Sequence, residues 1–253
     1  MATRHRHGEL REGDAPLGQR AVRASPGVLA ELGGAEVGGR LASVMLMRGE
    51  AWGMRGEGDA ALVAVEEGFV LISTDTCSRS GRPAGRRVVV ATGQAGMLLP
   101  SPGPGERVEA LTPSRIQIVS ADALKLLLSV PSVAESITDA FAEALRDRQT
   151  TIRNCAFVRH SERVYEKLLQ LARTYGRVVP GGVRIDFPLT HQLLADMVGS
   201  ARETVSLALS DLAGEELLDC RHHRYVLRIA PPDLFSTLHS DVVSGVRRSR
   251  LDA

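Results

Sequence analysis

Hydrophobic and polar positions change rhythm twice along this chain of 253 residues. Residues 1–26 are polar, charged and glycine-containing, without any apolar period, and predict a disordered tail. Over 27–130, short apolar runs ("LASVMLM", "ALVAV", "GFVLIS", "RRVVVAT", "GMLLP", "RIQIVS") are separated by Gly, Pro, Ser and Asp clusters. Runs recurring about every 8–12 residues predict an all-β barrel or sandwich. Two stretches between them, "DTCSRSGRPAGRR" (75–87) and "PSPGPGER" (100–107), have the composition of turns or loops.

A different period begins at Pro131. Val133, Ile137, Phe141, Leu145, Ile152 and Cys155 recur at steps of three, four or seven, while Glu135, Asp139, Glu143, Arg146 and Asp147 lie mainly off that stripe. The pattern predicts one helix over 131–157. At 1.5 Å per residue it is about 40 Å long, more than a compact domain needs. It either packs on the β-rich domain or pairs with a second copy of the chain through Ile137, Phe141, Leu145 and Ile152. So narrow a stripe on so long a helix favours pairing.

The remaining segment, 158–230, mixes the two periods. "NCAFVRHSERVYEKLLQLARTYG" reads as a helix ending at Gly176, and "VVPGG" as a turn. "VRIDFPLTHQLLADMVG" gives a short strand and then a helix, with Thr190 as its N-cap and Leu193, Leu194, Met197 and Val198 as its apolar face. A further helix, Ala201–Leu212, follows across a turn at Gly199–Ser200, and "LLDCRHHRYVLRI" supplies two strand-like runs. Helix, helix and hairpin is the order of a winged helix-turn-helix. Residues 231–253 form a C-terminal extension ending in a small basic cluster, "VRRSR".

On the second of those helices Val205, Ala208, Leu209 and Leu212 share one face, which leaves Arg202, Glu203, Ser206, Leu207 and Ser210 outward. In a helix-turn-helix such outward residues enter the major groove. The forked donors of arginine match guanine O6 and N7, and glutamate accepts from cytosine N4. Ser200 and Glu203 also fit a capping box, which would make the pair structural. Thr190 and Gln192, placed to grip phosphates, and a downstream wing with His222 and Arg224 facing phosphates tip the balance toward base reading.

Composition narrows this picture. The chain is 43% hydrophobic and 24% charged, as a globular protein is, and only 4% aromatic, so its core must be aliphatic. A net charge of +1 gives no overall basic excess, so any DNA binding has to rest on a local patch. Lysine occurs only at Lys125 and Lys167. The arginine bias fits a GC-rich genome as well as it fits phosphate chemistry. Cys77, Cys155 and Cys220 are too far apart for a disulfide framework or a close-spaced metal set, which predicts a reducing, cytoplasmic home. The N-terminus has no apolar signal region, and no apolar run approaches the roughly 18 residues of a membrane span. No nucleotide-binding P-loop, nucleophile elbow or zinc-protease motif appears, so neither a catalytic residue nor a metal site is expected.

The segment "LTHQLLADMVGSARETVSLALSDLAGEELL" resembles the DNA-binding motif of the CRP/FNR family of bacterial transcription regulators. "NCAFVRHSERVYEKLLQLA" is similar to that family's hinge, and "GEAWGMRGEGDAALVAVEEGFVLIS" to its cyclic-nucleotide-binding β-roll. The resemblance covers roughly residues 40–230. It implies an α+β fold: a jelly-roll-like β-roll over 27–130, a dimerisation helix over 131–157 and a winged helix-turn-helix over 158–230, hinged near Phe157. Arg202 and Glu203 match the family's base-reading pair, Ser206 a position that reads bases in some members, and Thr190 and Gln192 its phosphate contacts. Leu207 departs from the pattern, which usually has a second arginine there. A leucine cannot donate to guanine but can touch a thymine methyl.

The resemblance also implies a ligand pocket, and there the departures are larger. The family's Gly-Glu pair, which takes the ribose, falls near Met97 and Leu98, and its Arg-Ser pair near Arg107 and Val108. With no ribose acceptor, cyclic AMP is not the expected cofactor, because its sugar hydroxyls would be buried unpaired. Arg107 with Arg82, Arg86 and Arg87 leaves cyclic di-GMP, or no ligand at all, as the expectation. The partners implied are a palindromic double-stranded DNA operator, a second copy of the chain and, for an activator, RNA polymerase. The alternative is a ligand-sensing protein whose C-terminal domain makes protein contacts instead.

Overall fold

The computed structural model describes residues 41–53, 60–77, 83–154, 159–221 and 224–236. The tail expected over 1–26, Arg82, Cys155, Phe157, His222 and the extension beyond 236 lie outside the described residues.

Eight strands come first: β1 (Leu41–Leu46), β2 (Ala51–Trp52), β3 (Ala60–Glu67), β4 (Phe69–Cys77), β5 (Pro83–Gln94), β6 (Leu98–Pro100), β7 (Glu106–Ala110) and β8 (Ser114–Ser120). They pair antiparallel in two four-stranded sheets, ordered β1-β8-β3-β6 and β2-β7-β4-β5. Strand alternation divides their side chains between two faces. Val63, Val65, Val70, Ile72, Val108 and Ile116 form the core between the sheets. Leu71 and Val89 belong to a different core, described below. Gly68 turns β3 into β4 with φ +82°, and a Cβ there would overlap the Ser114 hydroxyl and the Pro113 carbonyl, so the turn requires glycine.

Helix α1 (Ala121–Leu128) starts at Ser120, whose hydroxyl accepts from the Ala123 amide at 3.2 Å. Helix α2 (Pro131–Asn154) is the expected long helix. Its apolar stripe, read in the sequence as one pairing face, divides into a buried and an exposed part. Val133 and Ile137 are buried with Leu62, Leu98 and Leu127 of the roll and α1. Ile137 is therefore roll core and not part of an open pairing face: it is 3% exposed, against 40% for Phe141, 59% for Leu145 and 71% for Ile152. A helix turns 100° per residue, so residues four apart drift around its axis, and the stripe leaves the roll after Ala140.

The second unit runs through α3 (His160–Tyr175), β9 (Gly176–Val179), β10 (Gly182–Ile185), α4 (His191–Val198), α5 (Arg202–Gly214), β11 (Leu218–Arg221), β12 (Arg224–Leu227) and α6 (Pro231–Ser236). Its strands form one antiparallel sheet in the order β11-β12-β10-β9. Leu168, Leu194, Val205, Leu209, Leu212, Tyr225 and Leu227 make its core. Among the described residues no helix is long and apolar enough to cross a membrane.

The two units share that core. Leu71 of β4 and Val89 of β5 are buried in the same cluster as α3, α4 and α5. Phe69 packs edge-on against Phe187, with ring centres 5.6 Å apart, and Phe187 stacks at 4.6 Å on Tyr175. The Tyr175 hydroxyl donates to Thr92 Oγ1 at 2.8 Å. Replacing Leu71 with alanine is expected to lower the unfolding free energy by about 2–5 kcal/mol, because a fully buried side chain leaves a cavity. Leu207→Ala, on an exposed site, should change it by less than about 0.5 kcal/mol. Equilibrium urea unfolding of both variants checks the contrast.

Candidate nucleic-acid interface

Helices α4 and α5 are built by local rules that the sequence states openly. The Thr190 hydroxyl accepts from the Leu193 amide at 3.1 Å and so caps α4. Gly199 ends it in the left-handed region, φ +66°, with the Ser200 amide donating back to the Ala195 carbonyl at 3.0 Å. The chain then re-enters a helix at Arg202. Val205, Ala208, Leu209 and Leu212 of α5 are buried, as are Leu193, Leu194, Met197 and Val198 of α4. Arg202, Glu203, Leu207 and Ser210 are exposed.

The capping-box reading of Ser200 and Glu203 does not hold. The residue at the N-cap of α5 is Ala201, and no side chain caps it. Ser200 is buried one position earlier, its hydroxyl 3.1 Å from His160 Nδ1. Glu203 is exposed, and neither its side chain nor that of Arg202 has a hydrogen-bond or ion-pair partner among the described residues. Ser206 is half-buried; its hydroxyl donates to the Arg202 carbonyl at 3.0 Å and lies 2.9 Å from His191 Nδ1. Thr190 is exposed although its hydroxyl is engaged in the cap. Arg224 is exposed at the start of β12, opposite Arg221.

Gln192 is exposed on the first turn of α4, and its Nε2 donates to Asp196 Oδ1 at 2.9 Å. Asp196 is buried, which an isolated carboxylate does not tolerate. Its partner is Arg87 of β5, which reaches Oδ2 with Nε at 2.8 Å and with Nη2 at 2.7 Å. The Nη1 of Arg87 holds Glu109 of β7 at 2.7 Å. Burial works against the Arg87 charge, but the hydrogen bonds to Asp196 and Glu109 more than offset it and raise its pKa. The Arg87–Asp196 pair was not read from the sequence. Its one visible trace is an acidic residue inside the apolar run "LLADMV".

The arginines expected around a ligand are dispersed. Arg107 makes a two-pronged contact with Asp75, at 2.8 and 3.2 Å, on the face of β7 opposite the buried Val108. The hydrogen bond from Arg107 holds the Asp75 carboxyl below its usual range. Arg86 is exposed, and Arg87 is engaged by Asp196 and Glu109. Met97 and Leu98 line a partly open cleft of about 70 Å³ between β5–β6, α2 and α3, together with Ala144, Arg148, Leu171 and Thr174. Among the described residues no cluster of His, Cys, Asp or Glu could hold a metal ion.

Residues 162–234 match the model of the Crp-like helix-turn-helix domain. Over 114 residues the chain is 33% identical to the CRP-like cAMP-activated global transcriptional regulator of Mycobacterium tuberculosis (strain CDC 1551 / Oshkosh), covering 44% of this chain and 51% of that protein. The chain thus spans about half the length of the curated relatives it matches. A CooA mutant from Carboxydothermus hydrogenoformans superposes with a TM-score of 0.69 at 18% identity, over 85% of this chain and 98% of that one. FixK2 from Bradyrhizobium japonicum gives 0.61 at 22% identity, over 79% and 98%. Residues 162–234 thus form a Crp-like helix-turn-helix domain, in a chain that shares the fold of the CooA mutant and FixK2 structures.

Proposed function

We propose that the protein is a transcription regulator that binds a palindromic duplex operator as a homodimer, with α5 in the major groove. The observation that carries this reading is the open face of α5, where Arg202 and Glu203 stand side by side, exposed, their side chains without hydrogen-bond or ion-pair partners among the described residues. Charged side chains left uncommitted on the outward face of a second helix are what base reading needs. Leu207, 69% exposed beside them, suits a thymine methyl, so the operator differs from the usual family half-site at that step. Thr190, Gln192 and Arg224 supply phosphate contacts around this face. Such a protein acts in the cytoplasm, and as an activator it would also meet RNA polymerase.

Phe141, Leu145 and Ile152 support the dimer. They follow one another at steps of four and seven along α2 and stand open to solvent past the roll. A second copy covering them would set two recognition helices about one DNA turn, roughly 34 Å, apart.

The cleft beside Met97 and Leu98 supports gating by a small molecule. Cyclic AMP is a poor candidate for it. Neither side chain accepts from a ribose, and Arg107 is already paired with Asp75 on the outer face of the roll. A dinucleotide such as cyclic di-GMP would find Arg86 open but must displace carboxylates from Arg87.

Selection of bound duplexes from a random pool, with wild type beside Arg202→Ala, tests the reading. A palindrome is expected from the wild type, and the variant should relax one base pair per half-site, a loss of about 1–3 kcal/mol of discrimination. Enrichment of no sequence, with or without added cyclic nucleotides, contradicts it. Leu145→Glu is expected to shift sedimentation from dimer toward monomer and to weaken operator binding with it. A variant that stays dimeric removes α2 as the pairing element.

A further inference from the structure

We infer that Arg87 of the β-roll is a positioning residue for DNA binding, acting through Asp196 to aim the Gln192 side-chain amide at the phosphate backbone. The inference rests on the DNA-reading function proposed above. Three side chains from both units form the relay. Arg87 grips Asp196 Oδ2 with two nitrogens at 2.8 and 2.7 Å, and Asp196 Oδ1 receives Gln192 Nε2 at 2.9 Å. The first member lies on β5 and the last is exposed at the start of the helix-turn-helix.

Hydrogen-bond chemistry sets the direction of the relay. A phosphate oxygen only accepts, so Gln192 must present an N–H and not its carbonyl oxygen. Its amide nitrogen carries two hydrogens. With one given to Asp196, the amide plane is fixed and the second hydrogen remains for an outside acceptor. Without Asp196 the side chain samples several rotamers and presents oxygen as readily as nitrogen.

Asp196 cannot hold Gln192 alone. A buried carboxylate with no cation is costly, and beside a phosphate backbone it would also repel. Arg87 removes both difficulties, and Glu109 in turn fixes Arg87 at 2.7 Å. One residue of the roll therefore determines the donor geometry of a DNA-facing group without touching DNA. Any displacement of β5 against α4 changes the phosphate grip and leaves the base-reading side chains where they are.

The test is a double-mutant cycle on the full-length protein, read as duplex affinity at fixed salt on the selected operator and on a random-sequence duplex. Arg87→Ala and Gln192→Ala are each expected to weaken binding to both duplexes by roughly tenfold, with base preference unchanged. The double variant should be no weaker than either single one, because both remove the same contact. Arg87→Lys, which keeps a cation in reach of Asp196, should recover part of the affinity. Circular dichroism and sedimentation confirm that each variant folds and assembles. A variant that does not fold is replaced in the cycle by Asp196→Ser, which breaks the same relay.

Losses that multiply in the double variant overturn the inference, because Arg87 then acts by another route. Unchanged affinity in folded Arg87→Ala or in Gln192→Ala overturns it too. So does tighter binding by Arg87→Ala, which would make the pair a brake. A wild type that binds no duplex overturns the DNA reading itself and the inference with it. A wild type that binds while the cycle is additive overturns the inference alone.

Discussion

The outer face of β4 and β5 gives up Leu71 and Val89 to the core of the helix-turn-helix unit, and the Arg87–Asp196 pair lies alongside. Burying two aliphatic side chains across the boundary removes apolar surface from water in both units at once. An ion pair at the edge of such a contact is directional where the apolar contact is not, so it fixes how the two surfaces meet. Phe69, Tyr175 and Phe187 extend the contact toward the end of α3, and the Tyr175 hydroxyl bonded to Thr92 adds a second directional link. The placement of α4 and α5 relative to the roll follows from these few groups.

Much of this was legible in the sequence, because local chemistry dictated it. Thr190 at the N-cap, Gly199 at the left-handed turn and the apolar faces of α4 and α5 each follow from nearest-neighbour rules. The strands of the roll announced themselves as short apolar runs between turns. The outward placement of Arg202 and Glu203 followed from helical spacing alone.

What sequence reasoning missed depends on contacts distant along the chain. The pattern Ser200-x-x-Glu203 invites a capping box, yet the helix starts one residue later and Ser200 turns to His160 instead. Ile137 sits on the same stripe as Phe141, but only the roll's position decides which of them is covered. Arg87 reads as one of four loop arginines that could greet a phosphate. Its actual partners, Asp196 and Glu109, lie 109 and 22 residues away. Arg107 likewise meets Asp75, 32 residues away across the sheet, because strand alternation sends Val108 inward in its place.

The cleft between the roll, α2 and α3 lies where those three elements meet, so a molecule lodged there would bear on the long helix and on the helix-turn-helix unit together. In a chain whose net charge is only +1, the proposed binding of duplex DNA has to rest on a local face. The most direct test is duplex affinity measured across a salt series. Phosphate contacts release counterions, so log affinity should fall linearly with log salt, at a slope of about −0.9 for each phosphate neutralised. A steep line of that kind is the predicted result. A flat one, with affinity indifferent to salt, would mean that the C-terminal unit meets a partner other than DNA.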